Sequence, residues 1–192
     1  MSTLKNHRKQ WLILRQEMPR LIERYPHFRV RKISSSLYLY YDSDLNIRTI
    51  DWADGTSSLV LGKILGRAKN PLELHYQTGR FVAITDSVLS LDATGYLGVY
   101  FTTKRNALVC CSSQVLASEI LNEPIAPGRD LKTSRMNWDP VPLARLKGLK
   151  RLFTDQILHL AEGTTGSRQR LVTTGQNSRQ ASENLARILR IE

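Results

Sequence analysis

The sequence predicts an α+β protein built on two stacked antiparallel β-sheets with flanking helices. Three observations carry this. Short segments rich in β-forming residues follow one another in two runs, few helical stretches separate them, and turn-forming clusters punctuate them at close spacing. At 192 residues and 41% apolar, the chain has enough material for one domain with a real core rather than a disordered coil.

Taken in order, Leu4, Trp11, Leu14, Met18, Leu21 and Tyr25 recur at helical spacing and predict an amphipathic N-terminal helix over residues 4–25, kinked or split into two segments at Pro19. Its other face would carry Arg8, Lys9, Arg15 and Arg24, a solvated basic face or a contact surface for an acidic partner. From Phe28 the period changes to two. "FRVRKI" and "LYLYY" read as the first strands, "DSDLN" as a turn, "IRTIDW" as a strand, "ADGTS" as a second turn and "SLVLGKIL" as a further strand. "LELHYQ" reads as a short helix or turn. "RFVAIT", "VLSLD", "LGVYFTT" and "ALVCCSS" then give four strands, and Ser113 is placed to cap a helix over "QVLASEIL". Beyond the loops "NEPIAPGRD" and "MNWDPVP" come a turn and strand in "LKRLFTDQILHLAEG" and another strand in "SRQRLVTT". "ASENLARILRIE" opens a final helix with Ser182 as its cap.

Charge is uneven. Residues 1–32 hold nine basic and two acidic side chains, residues 33–128 seven and nine, and residues 129–192 twelve and six. The net +11 therefore sits at the two ends, where it suits an acidic protein surface or nucleic acid. Aromatic residues make up only 7% of the chain and are not interleaved with the basic clusters, which counts against stacking on bases. No run approaches the roughly 18 apolar residues of a membrane span, and the basic N-terminus leads into no apolar signal core. A cytoplasmic location is the resulting expectation.

Known catalytic motifs are missing. The four histidines are scattered in sequence, and no metal-binding His-Glu-x-x-His, nucleophile elbow, P-loop or dinucleotide fingerprint occurs. Cys110 and Cys111 are adjacent, so on a strand they point to opposite faces, too few and too badly placed for a bridge or a zinc site. Neither a metal nor a cofactor is expected. An enzyme of unfamiliar chemistry using Asp92 or Cys111 would need a raised carboxyl pKa or an exposed, activated thiol. Asp92, in "SLDATGY", also suits a turn, where an aspartate hydrogen-bonds the backbone ahead of it.

Residues 79–113, "GRFVAITDSVLSLDATGYLGVYFTTKRNALVCCSS", resemble the glutaminase domain of asparagine synthetases, where a "G-x-F-A" strand leads to "A-R-D-x-x-G-x-x-P-L-Y-Y". Residues 59–66, "LVLGKILG", fall where that family has "N-G-E-I-Y-N", and residues 141–160 resemble its "P-x-x-G-I-x-x-L-x-P-G" stretch. The resemblance spans residues 55–172 and implies an N-terminal-nucleophile hydrolase fold, an αββα sandwich. With the N-terminal helix read above, the chain divides into three expected parts: a basic helical extension over 1–27, a glutaminase-like domain over 28–175, and a linker with the start of a helix over 176–192.

The same resemblance argues against glutaminase chemistry. The family's mature chain begins with a cysteine whose thiolate attacks the glutamine amide, with its own α-amine as base. Here Met1 and Ser2 precede the expected helix, the first expected strand begins only at Phe28, and residues 28–36, "FRVRKISSS", hold no cysteine. The family's oxyanion-stabilising asparagine falls on Leu61, leaving Gly62 alone as a vestigial donor. Asp92 matches the aspartate that holds the glutamine α-amine. Some relatives, the β-lactam synthetases among them, keep such a domain without glutaminase activity beside an ATP-using amide-forming domain. The S-G-G-x-D-S loop of that domain does not occur here. The expectation is an inactive glutaminase-like scaffold or partner-binding module, either part of a larger synthetase-like protein or free-standing. Its partner would be a protein or a synthetase domain, with a homo-oligomer also open. A nucleic-acid-binding protein using its basic termini is the rival.

Overall fold

The structure is a computed structural model that describes residues 7–74, 76–77, 79–92, 94–95, 97–103, 107–125 and 146–168. The proposed helix from Ser182, the loops in 126–145 and most of "SRQRLVTT" lie outside these residues.

The described residues form two six-stranded antiparallel sheets. The first is built from β1 (Trp11–Leu14), β2 (Phe28–Ser34), β3 (Leu37–Asp42), β8 (Tyr100–Thr102), β9 (Val109–Cys111) and β10 (Lys150–Arg151), in the order β10-β8-β9-β1-β3-β2. The second is built from β4 (Ile47–Asp51), β5 (Ser57–Ile64), β6 (Gly79–Thr85), β7 (Val88–Leu91), β11 (Gln156–His159) and β12 (Thr164–Ser167), in the order β12-β11-β7-β6-β5-β4. Asp86 and Ser87, both at positive φ (48° and 64°), close the β6–β7 hairpin, the conformation whose twist suits a two-residue turn.

Alternation along the strands explains how the sheets stack. Trp11 and Ile13 of β1, Leu37 and Leu39 of β3, Phe101 of β8 and Cys110 of β9 face one way. They meet Leu59 and Leu61 of β5, Val82 and Ile84 of β6, Leu89 and Leu91 of β7 and Leu158 of β11 from the second sheet. The intervening residues face outward. Leu12, Leu14, Tyr40, Val109 and Cys111 pack beneath α1 (Pro19–Arg24) and α3 (Gln114–Leu121). On the far side, Val60, Phe81 and Ala83 pack with Trp52 and with Leu74 of the one-turn helix α2 (Pro71–Leu74). Cys110 and Cys111 do lie on opposite faces, both buried and unbridged. Ser113 caps α3 by accepting from the N–H groups of Val115 and Leu116.

The N-terminal helix expected over 4–25 is corrected. Residues 11–14 form a strand at the centre of the first sheet, paired antiparallel with both β3 and β9. The helical spacing counted Trp11 and Leu14 but passed over Leu12 and Ile13 between them. Four consecutive buried residues are apolar on both faces, which suits a strand covered on both sides and not a helix with one apolar stripe. Of the two segments that a break at Pro19 would leave, only the second is helical: Pro19 starts α1, at the first helical position where its missing N–H costs nothing. The first strand among the described residues is therefore β1, not the one at Phe28.

Candidate functional site

Gly62 and Asp92 converge on one piece of backbone. Gly62 lies opposite Phe81 in the β5–β6 register, and Asp92 follows β7 on the other side of the same residue. The Asp92 N–H donates to the Phe81 carbonyl at 3.2 Å, and the Phe81 N–H donates to Asp92 Oδ2 at 3.3 Å. Its Oδ1 accepts from the N–H groups of Thr94 at 2.7 Å and Gly95 at 3.0 Å, and from the Thr94 hydroxyl. The side chain is fully buried. It closes the turn that leaves β7 and prolongs the β6–β7 ladder by one residue, an Asx turn with a structural load.

Gly62 is engaged as well. Its N–H donates to the Asn46 carbonyl at 2.7 Å, its φ is +112°, and a Cβ there would stand 2.1 Å from the Arg80 carbonyl oxygen. Only glycine fits. Leu61 beside it is buried in the inter-sheet core.

A second polar group gathers at the start of β1, from positions that sequence spacing did not connect. Buried His7, at φ 66°, directs Nδ1 at Gln10 Oε1 (3.2 Å) and Nε2 at Glu119 Oε1 of α3 (3.1 Å). The Tyr25 hydroxyl donates to Glu119 Oε2, and Arg24 donates to the same oxygen at 3.4 Å. The Tyr25 ring meets His7 edge-on at 5.4 Å and His27 at 6.3 Å, while His27 Nε2 stands 3.8 Å from Oδ2 of buried Asp42. Burial pushes the Tyr25 hydroxyl up to about 12, aided by its bond to the Glu119 carboxylate. For Glu119, burial favours the neutral form. The hydrogen bonds from Tyr25 and His7 and the nearby His7 and Arg24 outweigh it and hold the carboxyl below its ordinary range. The group ties the segment before β1 and the end of α1 to α3. Only the three-dimensional packing brings 7, 25, 27, 42 and 119 together.

The two cysteines supply no activated thiolate to this cluster. Burial raises the Cys110 thiol well above its ordinary value and takes Cys111 up to about 12, so neither is a thiolate at neutral pH. Among the described residues no cluster of His, Cys, Asp and Glu is arranged to hold a metal ion, and no helix is long and apolar enough to cross a membrane.

The four N-terminal cations do not share a face, because the helix that would align them is not formed. Arg8 and Lys9 are exposed in a turn. Arg15 donates to the Ala161 carbonyl between β11 and β12, and Arg24 lies on Glu119 and 5.3 Å from the Tyr25 ring centre. The basic strand β2, which sequence reading treated only as a strand, carries exposed Arg29, Arg31 and Lys32 together. Its alternation of apolar and basic residues was the available signal.

No protein-family model matches the chain, and no curated protein matches its sequence.

Two outcomes follow from the geometry. Asp92→Asn puts an amide where one carboxylate oxygen receives three donors, and is expected to lower the unfolding free energy by about 2–3 kcal/mol in urea titration. For Glu119 the folded state binds fewer protons than the unfolded chain below the ordinary value of 4.5. Its stabilisation is present above that pH and is lost as the pH falls through the lower folded-state value. Urea midpoints recorded from pH 6 down to about 3 are expected to fall less steeply for Glu119→Gln than for the unaltered protein.

Proposed function

We propose that this chain is a non-catalytic glutaminase-like domain of the N-terminal-nucleophile hydrolase type, serving as a scaffold or contact module. The amide-forming chemistry it serves, ATP-dependent by the resemblance, would reside in another domain or subunit. The observation that carries the reading is the fate of Gly62 and Asp92. The resemblance gives these positions to the oxyanion donor and the amine-holding carboxylate, and they do come to one level of the second sheet. Yet the Gly62 N–H is engaged by Asn46 and the Asp92 carboxylate by Phe81, Thr94 and Gly95.

Three further features support it. Two antiparallel sheets packed through a common core, with helices on the outer faces, agree with the layering that the resemblance implies. Leu61 offers no side-chain donor where the family has an asparagine. The turn leading into β1, "HRKQ", contains no cysteine, so the strand at the centre of the first sheet has no thiol at its entrance.

The test is an ammonia-release assay on the purified chain with glutamine. The expected result is no ammonia above the buffer blank, and no change when Cys110 and Cys111 are replaced by alanine. Ammonia release that disappears in the cysteine variants would overturn the reading.

A further inference from the structure

The edges of the two sheets differ in what they offer. The first sheet ends in β10, of two residues, and in β2, of seven; the second ends in β12, of four, and β4, of five. Among the described residues only β3 pairs with β2, so the outer row of backbone N–H and C=O groups of the longest edge strand meets no other strand. A register shift between Lys32 and Ser34 ends its regular stretch, leaving Phe28–Lys32 as a straight ledge.

Register fixes the chemistry of each face. Arg29 lies opposite Tyr41 and Arg31 opposite Leu39, on the side that faces the second sheet. Arg31 crosses the gap to donate to Thr49 Oγ1 of β4 at 3.1 Å. Val30 lies opposite Tyr40 and Lys32 opposite Tyr38, on the outer side, with Val30 42% exposed and the Lys32 ammonium 5.9 Å from the Tyr38 ring centre. Below the ledge a cleft of about 340 Å³ opens between the sheets, lined by Arg31, Lys32, Ser34, Thr49, Ser57 and Ser87, with Leu59 and Ile84 at its floor. Asp86, at the hairpin turn, is the one acid on its wall.

We propose that the β2 edge is a docking ledge for an extended acidic segment of a partner protein, which adds to the first sheet as an antiparallel or parallel strand. Backbone groups of the ledge supply the pairing, and alternating side chains supply the selection. An incoming strand turns every second residue toward Arg29 and Arg31, where glutamate or aspartate is matched, and the others toward exposed Val30, where an apolar residue is matched. The motif is therefore acidic–apolar alternation over about five residues, the length of the ledge.

The chain's own remaining segments do not have this chemistry. Residues 126–145 carry four basic and two acidic side chains, as do residues 169–192. Charge on an edge strand also guards against accidental pairing. Three charges of one sign repel basic and tolerate neutral strands while attracting an acidic one, so the guard and the selector are the same residues. The inference rests on reading the chain as a contact module and gives that module its surface.

The experiment is a fluorescence-anisotropy titration of the intact chain with a labelled Glu-Val-Glu-Val-Glu peptide flanked by Gly-Ser. Three comparators are run beside it: the same peptide N-methylated at alternate amides, its Lys-Val-Lys-Val-Lys counterpart, and a single-stranded RNA pentamer. The expected result is saturable binding of the acidic peptide, weakened at least tenfold by N-methylation and at least tenfold in the Arg29→Glu/Arg31→Glu variant, with no binding of the lysine peptide. Circular dichroism checks that the variant is folded. No binding, equal binding by the charge-reversed variant, or equal binding by the N-methylated peptide overturns the ledge. Tighter binding of the RNA, lost in the same variant, replaces it with a polyanion surface. The ammonia assay reads the absence of catalysis independently, so either conclusion can fail without the other.

Discussion

The whole fold hangs on the burial of β1 from both sides. Trp11 and Ile13 enter the core between the sheets, Leu12 and Leu14 enter the core under the helices, and both neighbours in the sheet are strands. Each fully buried apolar side chain of this size contributes about 1.5–3 kcal/mol. Four together are comparable with the net stability of a typical domain. The strand also fixes what surrounds it. At its entrance the Trp11 N–H donates to Ser112 Oγ, and the Asp42 N–H donates to the Gln10 carbonyl, so β3 and β9 are held in register there. The cluster around Tyr25 and Glu119 then closes over that end.

Several polar side chains sit where neighbouring polar groups would otherwise lack partners, whereas buried His27 Nε2 and Asp42 Oδ2 find no hydrogen-bond partner among the described residues. Asp92 satisfies the N–H groups at the end of β7 and of Phe81, Ser113 those at the start of α3, and Glu119 the Tyr25 hydroxyl and the His7 ring. Buried polar groups satisfied in this way rigidify the structure. On the surface, the exposed cations of β2 stand on an edge that no second strand pairs among the described residues.

Much of the fold was legible because strands buried on one or both faces announce themselves by period and composition. "LYLYY", "SLVLGKIL", "RFVAIT" and "VLSL" are found where their β-branched and aromatic content places them, and Ser113 and the short α2 turn are where their chemistry requires. The N-terminal segment was misread for a definable reason. Trp11, Leu14, Met18, Leu21 and Tyr25 satisfy helical spacing by combining a strand, a connection and a helix that only share a sequence. Asp92 was legible as a turn former in "DATG", because an Asx turn is local. The Tyr25–Glu119 group was not, because its members come from four separate parts of the chain and meet only through packing. The ledge on β2 was half legible, as basic alternation visible in "FRVRK", but its position at an edge depends on the strand order.

The most direct test of this account is the pair of unfolding free energies for Leu12→Ala and Met18→Ala, measured by urea titration against the unaltered chain. Leu12 is fully buried in β1, whereas Met18 is 41% exposed. The structure predicts a loss of about 2–5 kcal/mol for Leu12→Ala and a change within about 0.5 kcal/mol for Met18→Ala. An amphipathic helix over 4–25 would reverse the order, with Met18 on its buried stripe and Leu12 off it. A large loss at Met18 beside a small one at Leu12 would contradict the central strand and the sandwich built around it.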